Sequence, residues 1–558
     1  MAKLSSGGPD MARRTLLAAG AATLTAACTT TGGAIASSSS PEVATAKGIL
    51  RGERLGGVHR FLGIPYAQSI SGRNRFAPPQ PVIAWSGVRD ATRYADNSPQ
   101  QAADPTGGSP VTPAFDPPAY VEPGDDCLAL NVWAPENADD TLPVMVWLHG
   151  GGWTSGSGSC AIYDGQNLAS RGDVVVVTIN HRLGASGLTD FSRVLGGAFA
   201  DSANLSIRDM VAALEWVRDN ISAFGGNPDL VTIFGESGGG WKVNTLLGTL
   251  PAQGLFHRAI VQSGPLTRFA SHEQADEVAR KVLDALGITA ANAEKLNEIS
   301  FEQLLEAEAA VMGNSPMSMG TPGFPSGFWP VLEDGFLPRH VFEPDAAATS
   351  IGVPLMVGHN ATEMSLFMLQ DDAAYSLDAA GLEQRVAGLF EQDSDLVLAT
   401  YRTEYADETP SKVWFRILSD YMMGTISTEI LDTYSQAGGA DTYGYRFEWE
   451  TPIEGGKLFS PHTIEIPFVF DNVSTPAGVV MTGGGSEAAL LGKSVSEAWV
   501  AFAKSGTPAA PGLPQWPAYS SADRRAMHFD AVNTVSSYMP EATIPLFHDK
   551  LWQAADAA

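Results

Sequence analysis

The sequence predicts an α/β protein with a large, mostly parallel, twisted central sheet that helices cover on both faces. Strand-like and helical segments alternate along residues 144–358, and this alternation is typical of a parallel sheet wrapped by helices. The most strand-like run is residues 173–180, whose apolar continuity indicates a central strand buried on both sides. A third observation is the stretch VTIFGESGGG at residues 231–240, where an apolar strand runs into a glycine-rich turn.

Composition and charge exclude several classes of protein. Of the 558 residues, 44% are hydrophobic and 17% are charged, so the chain can bury a large core. The formal net charge of −28 argues against nucleic acid and anionic membranes as partners, because both are themselves negative. Three cysteines, Cys28, Cys127 and Cys160, are too few for a disulfide framework. Without a Cys-x-x-Cys pattern or zinc-like spacing of His and Glu, we expect no metal and no cofactor.

The first 36 residues have the pattern of an export signal of the twin-arginine type. Arg13 and Arg14 precede an apolar run of small residues, 15–27, that is too short to cross a bilayer as a helix. A disordered tail rich in alanine and threonine is the alternative interpretation. We expect residues 1–36 to be a targeting segment and not part of the fold.

The sequence leaves two ends open for this signal. Residues 34–36, AIA, fit a small-residue cleavage site, and cleavage there would give a periplasmic or secreted protein. Residues 24–28, LTAAC, form a loose lipobox with Thr25 where a large aliphatic residue is more usual, and processing there would leave a lipid anchor at Cys28. No later apolar run is long enough for an integral membrane segment.

The body of the chain begins with short elements and then a buried strand. Residues 61–67 and 75–79 are apolar runs broken by glycine and proline, which is typical of short strands and turns at a sheet edge. Residues 124–133 are again strand-like. Residues 144–148, VMVWL, predict a strand inside the sheet, and they run directly into HGGGW at residues 149–153.

Consecutive glycines after a buried strand allow backbone N–H groups to point into a cavity. An oxyanion hole requires such preset donors at the place where negative charge develops. The motif at residues 149–153 matches the His-Gly-Gly-Gly loop of esterases, while a merely flexible glycine loop is the alternative.

Further elements continue the alternation of strands and helices. An apolar stripe that includes Met210, Leu214 and Val217 predicts a helix over residues 204–223. Strand patterns occur at residues 230–234, 258–262, 353–358 and 443–449, and helical patterns occur at residues 272–312, 364–437 and 486–504. The loop at residues 312–327 is rich in Met, Pro, Gly and Ser, and we expect it to form a mouth or lid over a site.

The turn at the end of the strand 230–234 carries the pattern Gly-x-Ser-x-Gly through Gly235, Ser237 and Gly239. Strand, tight turn and helix together are the context in which this motif marks a nucleophile elbow, since residues 242–250 are compatible with a helix. The glycines relieve collisions around a serine in a strained backbone conformation. Taken alone, the motif could equally be a structural turn.

Nine segments in this order resemble the type-B carboxylesterase/lipase family of the α/β-hydrolase fold, which includes cholinesterases and bacterial p-nitrobenzyl esterases. The segments lie at residues 61–67, 125–132, 149–153, 180–184, 224–228, 235–239, 254–259, 363 and 461–462. The resemblance extends from about residue 45 to residue 519. It implies that residues 37–558 form one catalytic domain, with helical insertions over the active site.

The resemblance also implies the roles of individual residues. Ser237 would be the nucleophile, Glu363 the acid and His462 the base, and the N–H groups of Gly151, Gly152 and Gly238 would form the oxyanion hole. The order Ser, Glu, His along the chain is the order of this fold. Glu363 and His462 also follow predicted strands, at the sheet edge where open α/β sheets place their sites.

Rivals exist for the base and for the acid. His340 is the strongest other histidine, but it precedes the acid in sequence. Asp334 is the rival acid, and its Pro/Gly surroundings indicate a turn. Glu236 and Glu465 are interpreted as structural carboxylates near the site.

Three departures from the family pattern concern the site and the thiols. Gly238 stands where many members have Ala, and the bulky Trp241 follows closely, so the shape of the acyl pocket is open. Many members pair the cysteine at the Cys127 position with one upstream, whereas this chain has Ser98 near that place. We expect Cys127 to be a buried thiol and Cys160, after a Gly/Ser loop, to be the exposed one.

The sequence therefore predicts a serine hydrolase that cleaves carboxylic esters through an acyl-enzyme intermediate. An amidase or peptidase on the same fold and a non-catalytic binding module are the alternatives, and retention of all three residues of the triad argues against the second. The partner is a small-molecule ester. The identity of that ester and the oligomeric state are not accessible from the sequence.

Overall fold

The computed structural model describes residues 40–101, 109–139, 141–313, 325 and 327–557. The predicted export signal at residues 1–36, with Cys28, lies outside this range, and so does most of the predicted lid at residues 312–327. Across the described residues, none of the helices combines the length and the apolar character that crossing a membrane requires.

Strands from Glu42 to Ser537 build two sheets. They are β1 (Glu42–Thr45), β2 (Gly48–Arg51), β3 (Glu53–Leu55), β4 (Val58–Pro65), β5 (Val88–Asp90), β6 (Ala129–Pro135), β7 (Leu142–Leu148), β8 (Val175–Ile179), β9 (Gly226–Glu236), β10 (Arg258–Gln262), β11 (Leu355–Asn360), β12 (Thr442–Phe447), β13 (Arg525–Phe529) and β14 (Thr534–Ser537).

Eleven of these strands form one mixed sheet in the order β14-β13-β12-β11-β10-β9-β7-β8-β6-β4-β3. The block from β8 to β13 is parallel throughout, and antiparallel strands extend it at both ends. β1, β2 and β5 form a separate small sheet. The mostly parallel sheet predicted from the sequence is confirmed, and the run at residues 173–180 contains β8 at the boundary where the parallel block meets antiparallel β6.

Helices occupy the connections between the strands. The α-helices are α1 (Gln166–Gly172), α2 (Gly184–Leu188), α3 (Leu205–Asn220), α4 (Gly238–Gly248), α5 (His272–Leu286), α6 (Phe301–Met312), α7 (Met364–Phe367), α8 (Ala379–Phe390), α9 (Ser394–Glu404), α10 (Pro410–Ser419), α11 (Thr425–Ala437), α12 (Ile466–Val469), α13 (Pro476–Thr482), α14 (Ser486–Ser505) and α15 (Ile544–Ala557). A π-helical turn, Asp420–Gly424, joins α10 to α11.

Short 3-10 helices complete the connections. They lie at Gly72–Asn74, Thr112–Phe115, Ala161–Tyr163, Gly197–Phe199, Ile221–Phe224, Leu250–Ala252, Ala290–Asn297, Asp372–Tyr375, Glu391–Asp393, Ile453–Gly456 and Glu541–Thr543. The long helical stretch predicted at residues 364–437 corresponds to α7–α11, which are inserted between β11 and β12.

Two apolar cores lie on the two faces of the large sheet. Along β7, Val146 and Leu148 belong to one core, whereas Met145 and Trp147 belong to the other. Successive side chains of a strand point to opposite faces, so a strand that is apolar at every position requires cover on both sides. α3 packs in the first core and α14 in the second, which confirms the α/β class.

The thiols differ in part from the prediction. Cys127 is fully buried, as predicted, but Cys160 is buried too, so the prediction that it is exposed is wrong. Its Sγ donates a hydrogen bond to the backbone oxygen of Phe115, and it begins the short helix Ala161–Tyr163, whose Ile162 and Tyr163 belong to the second core. Cys160 is buried because the apolar residues that follow it pack in this core. Neither thiol forms a disulfide within the described chain.

Candidate active site

The turn between β9 and α4 holds Ser237 in a strained conformation. Its backbone has φ +56° and ψ −125°, a region that residues with a side chain rarely adopt. A Cβ atom at Gly239 would overlap the carbonyl oxygen of Leu148 at the end of β7, so this position needs glycine. Ser237 is half-buried and lies at a sharp turn from strand to helix, which is the geometry that the Gly-x-Ser-x-Gly motif predicts.

Glu363 follows β11 and is fully buried. Its Oε1 accepts a hydrogen bond of 2.6 Å from the backbone N–H of Asn360, the last residue of the strand. A carboxylate fixed in this way by its own turn keeps one orientation. Its second oxygen is left for a partner from another loop.

That partner is His462, which lies in the loop after β12. Its Nδ1 is 2.5 Å from Oε2 of Glu363, and the imidazole is 4% exposed. Thr362 and Ser460 hold the two loops together, because the backbone N–H of each donates to an oxygen of the other. The ring of Phe367 in α7 packs against the imidazole with 4.8 Å between the centroids.

The other ring nitrogen of His462 approaches a second carboxylate. Nε2 lies 3.2 Å from Oε1 of Glu236, the residue that immediately precedes Ser237, although neither atom has a hydrogen bond to any of the described residues. The distance allows a strong charge interaction in a buried place without the alignment of a hydrogen bond. This carboxylate was interpreted from the sequence as merely structural. Its position before the serine at the end of a strand was the only available signal.

The electrostatics of the imidazole are set by burial and by the carboxylates around it. Burial alone would disfavour the charged form, but Glu236, Glu363 and Glu465 outweigh it and raise the pKa of His462 to about 9. Burial also raises the pKa of Glu236 well above its usual range, against the lowering effect of His462. A charged imidazole is therefore stabilised in this site.

Glu465 is the third buried carboxylate near His462. Its two oxygens accept hydrogen bonds from the side-chain amides of Asn360 (2.7 Å) and Gln262 (3.3 Å). Burial raises the pKa of Glu465 to about 7, and the charge of Glu363 adds to the effect. Gln262 in turn accepts from Trp499 of α14, so this part of the site is anchored in the core.

The loop at residues 149–153 follows β7 and lies against the serine turn. Gly151 and Gly152 have φ of +83° and +59°. A Cβ atom at Gly238 would overlap the backbone of Gly152, so the loop and the start of α4 are in direct backbone proximity. The indole of Trp241 reaches this point as well, and it packs on Trp329 with 4.9 Å between the ring centroids.

The rival residues lie in other surroundings. Asp334 is exposed in a turn, and His340 Nδ1 accepts a hydrogen bond from the backbone N–H of Phe269. His149 is buried, and its ring stacks on that of His181. In the part of the chain that is described, no three His, Cys, Asp or Glu side chains are grouped to hold a metal ion.

Comparison with known proteins agrees with this architecture. The model of the carboxylesterase family matches residues 39–544. The para-nitrobenzyl esterase of Bacillus subtilis (strain 168) is 35% identical over 502 residues, which are 89% of this chain and 96% of that protein. Carboxylesterase 1D of Mus musculus is 34% identical over 512 residues, which are 86% of this chain and 88% of that protein.

Solved structures show the same likeness in three dimensions. A para-nitrobenzyl esterase structure superposes with a TM-score of 0.75 at 32% identity, covering 91% of this chain and 99% of the other. A carboxylesterase of Geobacillus stearothermophilus has a TM-score of 0.73 at 35% identity, covering 89% and 97%. The chain belongs to the carboxylesterase family and is a carboxylic ester hydrolase of the α/β-hydrolase fold.

Proposed function

We propose that this chain hydrolyses carboxylic esters through an acyl-enzyme intermediate on Ser237, with His462 as the general base and Glu363 as the acid that orients it. The observation that carries the proposal is the 2.5 Å contact between His462 Nδ1 and Glu363 Oε2. With Nδ1 held in this contact, Nε2 of the same ring lies 3.2 Å from Oε1 of Glu236 at the end of β9. Ser237 is the next residue of the chain.

In the first half-reaction, Oγ of Ser237 attacks the carbonyl carbon of the ester while Nε2 of His462 takes the hydroxyl proton. The tetrahedral intermediate carries its negative charge on the former carbonyl oxygen. The N–H groups of Gly151, Gly152 and Gly238 donate to this oxygen. When the intermediate collapses, the imidazolium returns the proton to the leaving alcohol, and the acyl group stays on Ser237.

In the second half-reaction, water takes the place of the alcohol. Neutral His462 removes a proton from the water as it attacks the acyl carbon, and the same glycine N–H groups stabilise the new oxyanion. Collapse returns the proton to Ser237 and releases the carboxylic acid. Buried Glu363 stabilises the imidazolium that forms in each half and keeps the ring in one tautomer.

We propose in addition that residues 1–36 are an export signal of the twin-arginine type and that residues 37–558 form one catalytic domain. Both buried cysteines of the described chain are free thiols, as suits a protein that folds without forming disulfides. The protein would be periplasmic or secreted, or lipid-anchored if Cys28 is processed as a lipobox cysteine.

Replacement of Ser237 by alanine should reduce turnover of a p-nitrophenyl ester by about 10⁴–10⁶-fold while the fold is retained, because the nucleophile is lost. Labelling by an organophosphate should disappear with it. Steady-state kinetics and intact-protein mass spectrometry measure both. The matched control is Ser494→Ala, which removes an exposed hydroxyl on α14 and should keep both activity and labelling. Label taken up by Ser237→Ala at another serine would refute the assignment.

Glu363→Gln should lower kcat by a factor on the order of 10⁴ with little change in substrate binding, since a neutral amide does not stabilise the imidazolium. Asp334→Asn is the control, because it makes the same change at an exposed acid. Kinetics of the two purified variants compare them directly. A nearly silent Glu363→Gln beside a crippled Asp334→Asn would move the acid to Asp334.

The pH dependence should reflect the raised pKa of His462. A protonated imidazole cannot accept the serine proton, so kcat/KM should rise with pH and reach half its maximum above the ordinary histidine value of about 6.5. Glu236→Gln removes a charge that favours the protonated form. It should therefore shift this acid limb to lower pH, as measured from pH profiles of kcat/KM.

An exposed control for the pH experiment is Glu391→Gln, which should leave the profile in place. A profile of Glu236→Gln that coincided with the wild-type profile would show that this carboxylate does not act on the base. A shift to higher pH would reverse the sign of the proposed interaction.

The mature N-terminus tests the export proposal. Intact-protein mass spectrometry of the protein expressed in an export-competent bacterium should show a chain that begins at Ser37, because residues 34–36 fit a small-residue cleavage site. Replacing Arg13 and Arg14 by lysine is the control and should retain the precursor in the cytoplasm. An acylated chain beginning at Cys28 would establish the lipid anchor instead, and an uncut chain would refute the signal.

A further inference from the structure

Lys242 is a fully buried lysine in α4, five positions after Ser237. Its Nζ donates a hydrogen bond of 2.7 Å to the backbone oxygen of His149, which lies 93 residues away at the start of the glycine loop. No carboxylate of the described residues forms an ion pair with it. A lysine is rarely buried without an acidic partner, because desolvation of the ammonium is unfavourable.

The surroundings of Lys242 are basic and aromatic. The rings of His149 and His181 stack with 4.9 Å between centroids and 5° between planes, and Trp153 lies 5.8 Å from Nζ. Burial lowers the pKa of both histidines well below their usual range, and the charge of Lys242 is the second cause of this shift. Burial lowers the pKa of Lys242 itself to about 7. The hydrogen bond from Lys242 to the loop is therefore formed despite the unfavourable burial of a basic group. We interpret this as a sign that the hydrogen bond has a function.

The carbonyl oxygens of His149, Gly150 and Gly151 each contact a hydrogen-bond donor. The His149 oxygen accepts from Lys242, the Gly150 oxygen lies 2.9 Å from Nδ1 of His149, and the Gly151 oxygen accepts from the backbone N–H and hydroxyl of Ser155. Because a carbonyl oxygen can only accept, Nδ1 of His149 must carry the proton.

Holding these carbonyls fixes the N–H groups that follow them. In a trans peptide unit the C=O and the next N–H point in opposite directions. The carbonyl of Gly150 therefore sets the direction of the Gly151 N–H, and the carbonyl of Gly151 sets that of Gly152. Lys242 holds the peptide before these two, and with it the backbone of His149, whose ring holds the carbonyl of Gly150.

The same helix limits the loop from a second point. Any side chain at Gly238, the first residue of α4, would overlap the backbone of Gly152. α4 therefore contacts the far end of the loop through Gly238 and its near end through Lys242. Of these two contacts between α4 and the loop, that of Lys242 is a hydrogen bond from a side chain and that of Gly238 is a steric limit.

We propose that Lys242 is a positioning residue, whose Nζ holds the carbonyl of His149 so that the N–H groups of Gly151 and Gly152 stay aimed at the oxyanion. This inference rests on the proposed function of Ser237 and of the glycine loop. Lys242 touches neither the substrate nor the reacting atoms. It acts through the backbone of the loop.

The test is Lys242→Met, which keeps the length and packing of the side chain but removes the donor. Loss of a single oxyanion donor costs about 10²–10³ in kcat, and misdirected donors should cost less, about 10–100-fold. Active sites are counted from the end point of organophosphate labelling, and kcat is expressed per counted site. KM should stay within about threefold, because the interaction belongs to the transition state.

A second readout separates positioning from simple loss of stability. A trifluoromethyl ketone adds to Ser237 and forms an oxyanion, so its inhibition constant should rise by the same factor as kcat falls. The constant of an uncharged ester analogue that forms no oxyanion should stay unchanged. The matched control is Thr245→Val, which removes a buried hydrogen bond inside α4 and should leave kcat per site unchanged.

If Lys242→Met folds poorly, Lys242→Gln is used in its place, because it retains an N–H donor on a shorter side chain. Its kcat is then measured per counted active site, so that only the folded fraction contributes. The inference would be overturned by a kcat per site equal to that of the wild type, or by equal weakening of both inhibitors. A wild-type enzyme that takes no organophosphate label, or turnover and labelling that survive Ser237→Ala, would instead refute the proposed function. The two failures are thereby distinguishable.

Discussion

The parallel alignment of β7, β9, β11 and β12 is the constraint on which the site depends. Parallel strands have their carboxyl ends at one edge of the sheet, so the segments that follow these four strands emerge side by side. Their residues lie far apart in sequence, between the glycine loop at residues 149–153 and His462. No local interaction could bring them together. The parallel pairing of the strands brings them to one edge of the sheet.

Within this frame, the charge around His462 involves a compromise. Three buried carboxylates surround one imidazole, and together they stabilise its protonated form. In the proposed mechanism, that stabilisation helps when the imidazolium forms, because the developing charge meets carboxylates that are already in place. It also makes the resting imidazole easier to protonate, which withholds the base at lower pH. Burial, which raises the pKa of Glu236 and Glu465, moderates the effect by favouring their neutral forms.

Most of the fold was accessible from the sequence because central strands contain continuous apolar runs, such as residues 144–148 and 174–177. The alternation of such strands with helical patterns predicted the parallel sheet, and the family comparisons support the ester hydrolase chemistry. The start of α4 was less visible. The helix begins at Gly238, whereas the pattern predicted it only from residue 242, because three successive glycines carry no periodicity and little helix propensity.

What the sequence could not reveal depends on contacts between distant segments. The burial of Cys160 follows from the packing of the short helix that it begins, and the approach of Glu236 to His462 depends on how the loop after β12 folds back. Lys242 is the clearest case. The sequence between Trp241 and Val243 gives no sign that this lysine is buried, and the position of β7 beside β9 places a carbonyl within its reach.

The two parts of the site are therefore held by different means. The strand ends position the proposed triad, with Glu363 tied by a hydrogen bond to its own turn and His462 tied to Glu363. The three glycines at residues 150–152 have no side chains, so this part of the loop is fixed through carbonyl oxygens. A peptide plane that is held at its oxygen keeps its neighbouring N–H in one direction without any group on the substrate side. Donors prepared in this way need no rearrangement when the oxyanion appears, which is the condition for strong stabilisation of a transition state. In the role proposed for Lys242, a buried amine meets this condition through the carbonyl of His149.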